Sequence, residues 1–397
     1  MTTEWKTNNL GEVCSFLNRG ISPRYLERGG IRVLNQKCVR DHRVSYEPSR
    51  RHDAKAKKVG SDRLIQAGDV LVNSTGTGTL GRVAQLRENP SEPTTVDSHV
   101  TIVRPTPGKF YPEFFGYMLI VIEDAIKEAG EGCGGQTELA RSALAENFQV
   151  HYPASLSEQQ RIVGLLDEAF EGLATAKANA EKNLQSARAL FESHLQSVFT
   201  QHGPGWVEKR LDEVCAITST LVDPRKKEFL DLTHVGAGNI ESKTGVFVEL
   251  KTAREEGLIS GKFLFDGSMV LYSKIRPYLM KVARPDFDGL CSADMYPLTP
   301  FRNVISRDYL FHLLLSKTFT DYAVLGSARA GMPKVNREHL FEFKTWLPDL
   351  KTQKEIAAKL DDLHDETQHL ARLYERKLAS LAALKQSLLH QAFGGTL

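Results

Sequence analysis

At 397 residues the chain is too long for one ordinary domain and long enough for two or three. Its 41% hydrophobic and 25% charged residues are those of a folded water-exposed protein; no apolar run reaches the roughly 18–20 residues of a membrane span, and the polar start Thr2-Thr3-Glu4-Trp5-Lys6 holds no apolar signal core, so a cytoplasmic protein with no membrane partner is expected. The net charge of +2, from 51 basic and 49 acidic residues, neither demands nor excludes nucleic acid.

In chain order, Trp5 followed by Leu10-Gly11-Glu12-Val13-Cys14 opens the first half. A basic stretch follows: between Arg40 and Arg63 lie eight Lys/Arg against four Asp/Glu, among them Arg50-Arg51, Lys55, Lys57 and Lys58. Val70–Asn73 and Val100–Arg104 read as strands, and Tyr111–Ala129 as an amphipathic helix. Gly and Pro clusters at Pro90–Pro93, Pro105–Gly108 and Gly130–Gly135 mark turns. After Pro153 a long helix is expected over 156–200. Its apolar or small residues fall at 162, 166, 169, 173, 176, 180, 184, 187, 191, 195 and 198, mostly alternating steps of four and three, the seam of side-by-side helices. Beyond His202-Gly203-Pro204-Gly205 the second half carries expected strands at Val246–Leu250 and Met269–Ser273, an expected helix over Arg307–Leu325, and a boundary near Pro348. A second long helix over 350–397 repeats the seam at 356, 360, 363, 367, 370, 374, 378 and 381, with Thr367 its one polar member.

The chain is written twice. Ile162 and Ile356, Leu166 and Leu360, Leu184 and Leu378, Leu195 and Leu389, and Phe199 and Phe393 each lie 194 positions apart. Trp5 and Leu10–Cys14 match Trp206 and Leu211–Cys215 at a shift of 201; Ala67–Val72 resembles Asp266–Leu271 at 199; Leu139, Arg141 and Leu144 match Val335, Arg337 and Leu340 at 196. Small loop deletions between two copies of one fold would produce this falling shift. The reading is a mixed α/β protein: two α/β halves (1–155 and 201–349) related by pseudo-two-fold symmetry, separated by two long helices (156–200 and 350–397) packed antiparallel as a coiled coil. Each helix of about 43 residues would span roughly 60–65 Å at 1.5 Å per residue, a rigid spacer. Leu165, Phe170, Leu373 and Leu388 fall off the seam and, with Leu173, suggest a further face for protein partners.

Catalytic signatures are missing. Gly76-Thr77-Gly78-Thr79-Leu80-Gly81 fits G-x-G-x-x-G, but Arg82–Arg87 reads as a strand where a phosphate-binding helix should begin, and the matching stretch Tyr272–Tyr278 has no glycine; both read as hairpin loops. There is no P-loop lysine motif, HExxH or GxSxG, and no Asn/Asp-Pro-Pro-Tyr/Phe methyltransferase loop. The five cysteines are scattered without a CxxC pair, as suits reduced thiols rather than zinc. His99 and His151 read as structural histidines. Asp167-Glu168 and Asp361-Asp362 read as solvated helix-surface carboxylates.

Three short marks carry a resemblance. Pro153 precedes Leu156-Ser157-Glu158-Gln159-Gln160-Arg161-Ile162; Pro348 precedes its echo Lys351-Thr352-Gln353-Lys354-Glu355-Ile356; and the chain closes on Leu384-Lys385-Gln386-Ser387-Leu388-Leu389 with Ala392-Phe393. In this order and duplication the chain resembles the specificity (S) subunit of Type I DNA restriction-modification systems over essentially its whole length, departing only at Thr352–Ile356 from the usual Glu-Gln-x-x-Ile. The resemblance implies two target recognition domains, each reading half of a split sequence in double-stranded DNA. It implies helices that dock two methyltransferase (M) subunits, on which restriction (R) subunits assemble. S-adenosylmethionine, ATP and Mg²⁺ would bind those partners, leaving this chain with no cofactor, no metal and no catalytic residue.

On that reading, phosphate contacts position and base-edge contacts specify. The candidates in the first half are Ser74, Thr75, Thr77, Thr79 and Arg82, with Gln136 and Thr137 in the Gly132–Thr137 loop; Arg24, Lys55 and Lys57 suit phosphates. In the second half they are Lys274, Arg276, Tyr278 and Lys281, with Arg329 and Lys334. The competing readings are a stand-alone DNA methyltransferase or nuclease, which the missing catalytic loop disfavours, and a coiled-coil scaffold with no DNA role.

Overall fold

A strand covered on both faces needs no polar alternation, and Val70-Leu71-Val72-Asn73 has none. In the computed structural model, which describes residues 4–130, 137–327 and 332–395, this strand lies inside an antiparallel sheet ordered Cys14–Arg19, Val100–Pro105, Val70–Asn73, Val83–Gln85. Period-two geometry sorts its side chains. Val70, Val72, Val83 and Val103 enter one core with Phe114, Phe115 and Met118 of the helix Pro112–Val121. Leu71, Ala84 and Ile102 enter another with Leu34 and Val96, from a second sheet ordered Thr94–Val96, Ile31–Leu34, Arg50–His52, Tyr25–Leu26.

The second half repeats this plan. Its sheet runs Cys215–Ala216, Met295–Pro300, Val270–Ser273, Val282–Ala283. Val270, Tyr272 and Leu298 face the helices, whereas Leu271, Ala283 and Met295 face a five-stranded sheet that contains Lys262–Phe265 and Gly289–Cys291. Each half is closed by a two-stranded ribbon, Trp5–Asn9 with Gln149–Pro153 and Val207–Arg210 with Lys344–Leu347.

Three expectations need correction. The helix over Tyr111–Ala129 is two helices, Pro112–Val121 and Glu123–Glu128, broken at Ile122. That over Arg307–Leu325 is also two, Arg307–Leu315 and Lys317–Leu325, because Ser316 ends the first and caps the second, its hydroxyl accepting from the Phe319 N–H at 3.2 Å. Val246–Leu250 is not a strand: Glu249 sits at φ +49°, and only Phe247 bridges, to Ile240.

The long helices span Leu156–Thr200 and Leu350–Phe393. The chain divides into two units, Met1–Asn179 with Leu378–Leu397, and Ala180–Lys377, so each unit holds the start of one long helix and the end of the other. In the first, Ile162, Val163 and Leu166 share a core with Leu389, Ala392 and Phe393; in the second, Phe191, Leu195 and Phe199 share one with Ala357 and Leu360. Within the second unit the helices run antiparallel: Phe191 stacks edge-on with His364 at 4.8 Å, and Asn183 donates to the Tyr374 hydroxyl at 3.2 Å. Ala180, Ala187 and Ala371 are buried there. Much of the sequence seam therefore faces the sheet domains as well as the other helix. No helix among the described residues is long and apolar enough to cross a membrane.

Two duplicated anchors fix each helix to its domain. Gln159 and Gln353, 194 apart, are fully buried. Gln159 Nε2 donates to the Pro153 carbonyl at 2.9 Å and its Oε1 accepts from the Tyr111 N–H at 2.8 Å; Gln353 donates to Pro348 and Val304 and accepts from the Ser306 N–H, each at 2.9 Å. A buried amide that satisfies three backbone groups cannot be replaced by an apolar side chain without orphaning them. Asp167 and Asp361 form the second anchor and are not idle surface carboxylates. Asp167 accepts from the Tyr117 hydroxyl at 2.5 Å and Arg87 at 3.4 Å; Asp361 accepts from His312 at 2.8 Å and Arg284 at 2.8 Å.

Candidate nucleic-acid interface

The strands Val70–Asn73 and Val83–Gln85 pair antiparallel, so the glycine motif between them is a hairpin loop with no helix at its glycines. Gly76, Gly78 and Gly81 all take positive φ. At Gly81 a Cβ would also lie 2.9 Å from the Lys127 backbone nitrogen, so only glycine fits there. The matching loop of the second unit turns without glycine: Arg276 (φ +49°) and Met280 (φ +51°) flank a 3₁₀ turn at Pro277–Leu279.

Both hairpin loops are docked in the same way. In the first unit Thr75 bridges Glu138, the Gly76 N–H donates to Thr137 O and the Leu139 N–H to Ser74 O. In the second, Ile275 bridges Lys334, the Arg276 N–H donates to Pro333 O and the Val335 N–H to Lys274 O. Thus each unit presents a junction of hairpin loop with the segment leading into a short helix, Arg141–Glu146 or Arg337–Phe341. The sequence candidates Thr75–Arg82 and Thr137 meet at the first junction. Lys274, Arg276 and Lys334 meet at the second, with Tyr278 and Lys281 in the same hairpin loop. Gln136 and Arg329 lie outside the described residues.

Individual placements differ from the expectation. Ser74 is buried and its hydroxyl is spent on Thr101, so it is withdrawn as a base reader. Thr75 is held by His99 Nδ1 at 2.8 Å and by Gln36, and Thr79 turns back onto the Thr75 and Gly76 carbonyls; these two threonines shape the loop. Thr77 is exposed at its tip, and Arg82 donates to Gly78 O at 2.8 Å. Arg24, Lys55 and Lys57 are exposed, with Lys57 Nζ donating to Ser22 O at 3.2 Å. Arg63 donates to the Arg19 and Gly20 carbonyls, and Arg19 pairs with Glu138 of the junction at 2.6 Å. In the second unit Arg276 and Tyr278 are exposed, while Lys281 donates to Ala237 O at 2.5 Å. Lys274 is half-buried, held by the Ala293 carbonyl, with its ammonium 5.3 Å from the centre of the Tyr296 ring. Burial, then the nearby Lys334 charge, holds its amino group below the usual lysine range.

Sequence reading missed Gln36, Arg19, Tyr296 and Arg337. Gln36 sits alone in a 3₁₀ turn and reaches the loop only through the fold. Arg337 was visible as the repeat partner of Arg141, but nothing in the sequence placed its guanidinium 5.9 Å from the centre of the Tyr296 ring.

The proposed partner face also divides. Phe170 and Leu388 pack against the first unit's core, Phe170 edge-on to Tyr117 at 5.6 Å, so they are not a free surface. Phe170 and Leu173 line a cleft of about 1070 Å³ in that unit, with Tyr117, Leu378, Leu381 and Lys385. Leu165 and Leu373 remain exposed.

The model of the Type I restriction modification DNA specificity domain matches this chain twice, at residues 2–183 and 204–375. A curated relative, the Type I restriction enzyme EcoDI specificity subunit of Escherichia coli, is 37% identical over 192 residues; the match covers 48% of this chain and 42% of that protein, less than half of either. A solved chain from a study of complex assembly and conformational transition in the type I R-M system superposes with TM-score 0.77 at 17% identity, covering 99% of this chain and 98% of the other. The HsdS subunit from Thermoanaerobacter tengcongensis superposes with TM-score 0.60 at 20% identity, covering 99% and 97%. These two share the fold.

Proposed function

The chain belongs to the Type I restriction modification DNA specificity domain family, in two copies, and from that premise we propose that it is the sequence-reading subunit of a Type I restriction-modification complex. Each unit reads one half of a split site in double-stranded DNA through its hairpin-loop junction. The observation that carries this reading is the duplication of that junction with unlike contents: a Gly/Thr loop in one unit, a Lys/Arg/Tyr loop in the other. A common scaffold with divergent tips suits two different half-sites.

In this reading polar and basic side chains meet DNA: the half-buried Arg82 and Thr137 and the exposed Thr77, Arg24, Lys55 and Lys57 in the first unit, and the exposed Arg276, Tyr278 and Lys334 in the second. Arginine forks suit guanine edges and lysines suit phosphates. Thr75, Thr79, Lys274 and Lys281 position these tips. The subunit is non-catalytic and cytoplasmic, and methyltransferase subunits dock on its long helices, carry the methyl-transfer chemistry and recruit restriction subunits; Leu165 and Leu373 are candidate contacts.

The test is the methylation pattern of the host genome with and without this gene. A split modified motif should vanish on deletion, and exchange of residues 1–155 should alter one half of it alone. Methyl transfer to DNA by the purified chain without partners would refute a non-catalytic role.

A further inference from the structure

Two equivalent junctions differ in how their charges are paired. The strand ladders set Thr101 of the first unit opposite Val72, and Tyr296 of the second opposite Tyr272, so these positions correspond, and Val72 matches Tyr272 and not Leu271, the partner expected from the sequence. Ser74 and Lys274 correspond beside them, as do Glu138 and Lys334, and Arg141 and Arg337. The first junction is closed: Ser74 bonds Thr101, Glu138 pairs with Arg19 at 2.6 Å, and Arg141 donates to the Asn18 side chain at 3.3 Å. The second is open. Lys334 and Arg337 are exposed, and among the described residues neither has a carboxylate partner. The acid nearest Lys274 is Asp294, at 3.8 Å.

The site is also built rigidly. Tyr296 is buried, and its hydroxyl donates to the Val335 carbonyl at 3.1 Å, holding the segment that carries Lys334. The negative ring face of Tyr296 lies near both Lys274 and Arg337. Two cations over one aromatic ring, with Lys334 on the segment that the ring's hydroxyl holds, against a single acid, leave positive charge that a phosphodiester would neutralise.

We propose that Lys334 and Arg337, backed by Lys274 over the Tyr296 ring, form a seat for a DNA backbone phosphate in the second unit, and that the matching junction of the first unit, closed by its Arg19–Glu138 pair, is not one. This rests on the DNA-reading function above and assigns its salt-dependent part. Each phosphate contact releases condensed counterions, so the slope of log affinity against log salt changes by about 0.9 for each one lost.

The experiment measures that slope for the full chain, in complex with its methyltransferase subunits, on a duplex bearing the host's split methylated motif. Lys334→Gln and Arg337→Gln should each make the slope shallower, and the double variant by about 0.9, the value of one phosphate. Lys334→Arg should restore it, and Arg141→Gln should leave it at the wild-type value. If Lys334→Gln and Arg337→Gln both keep the wild-type slope while specific binding persists, the seat is refuted. If Arg141→Gln lowers the slope as much as Arg337→Gln does, the asymmetry is refuted. If the wild-type complex shows no preference for the motif at any salt concentration, the DNA-reading function itself fails, a distinct result.

Discussion

His312 shows how a single buried side chain ties acidity to the second unit's stability. Its Nε2 faces Asp361 at 2.8 Å, while Nδ1 is buried with no partner among the described residues. Burial pushes its pKa below the usual histidine value, more than the Asp361 contact raises it. Burial works on Asp361 too, raising its pKa, but the hydrogen bonds from His312 and Arg284 outweigh that and hold the carboxyl down at about 2. The native ring therefore stays neutral where the unfolded chain takes up a proton, below about pH 6.5. Stability is full above that value and falls with pH until the native ring protonates, by at most about 1.4 kcal/mol per pH unit from this residue. His364 is depressed by burial in the same way and adds to the slope. The second unit's urea midpoint should fall from pH 7 to pH 5.5, and His312→Gln should flatten that fall. The Asp361 contribution is lost only at far lower pH, as it falls from about 4 through about 2.

The long helices are placed by polar anchors at their starts as well as by apolar seams. Gln353→Ala would leave the Ser306 N–H and the Val304 and Pro348 carbonyls without their partner. Orphaning buried groups costs about 1–3 kcal/mol, so this variant should lower the thermal midpoint, and Gln159→Ala should act alike on the first unit. A Gln353→Leu variant should not recover the loss, because the deficit is in hydrogen bonds and not in volume. The glutamines were legible as a motif. Their role was not, because their partners lie at Tyr111 and Ser306, almost fifty residues earlier, and only the fold brings those backbone groups to the helix start.

At the scale of the whole molecule, sequence order and structural unit part company. The C-terminal helix ends inside the first unit, where Phe393 meets Phe114 with ring centres 4.9 Å apart and Leu389 and Ala392 fill the same core. Phe393→Ala should therefore destabilise the N-terminal domain, by about 3–5 kcal/mol as large aromatic truncations do. Hydrogen exchange would read this as lost protection in Pro112–Val121 and Val70–Asn73, with the strands of the second unit unaffected. A loss confined to Val270–Ser273 and its neighbours would contradict this assignment.

The duplication, the two hairpin loops and the long helices were all written in the sequence, because periodicity and repeat spacing are local or self-comparing signals. The tertiary structure decided what each signal serves. It turned Asp167 and Asp361 from surface carboxylates into anchors, buried Ser74, packed Phe170 and Leu388 against a core, and split two expected helices at Ile122 and Ser316. It also gathered Lys274 and Arg337 over the Tyr296 ring and brought Lys334 near Lys274, from segments up to about sixty residues apart. The physical reason is that burial and charge balance are sums over neighbours in space, and a linear pattern lists neighbours only along the chain.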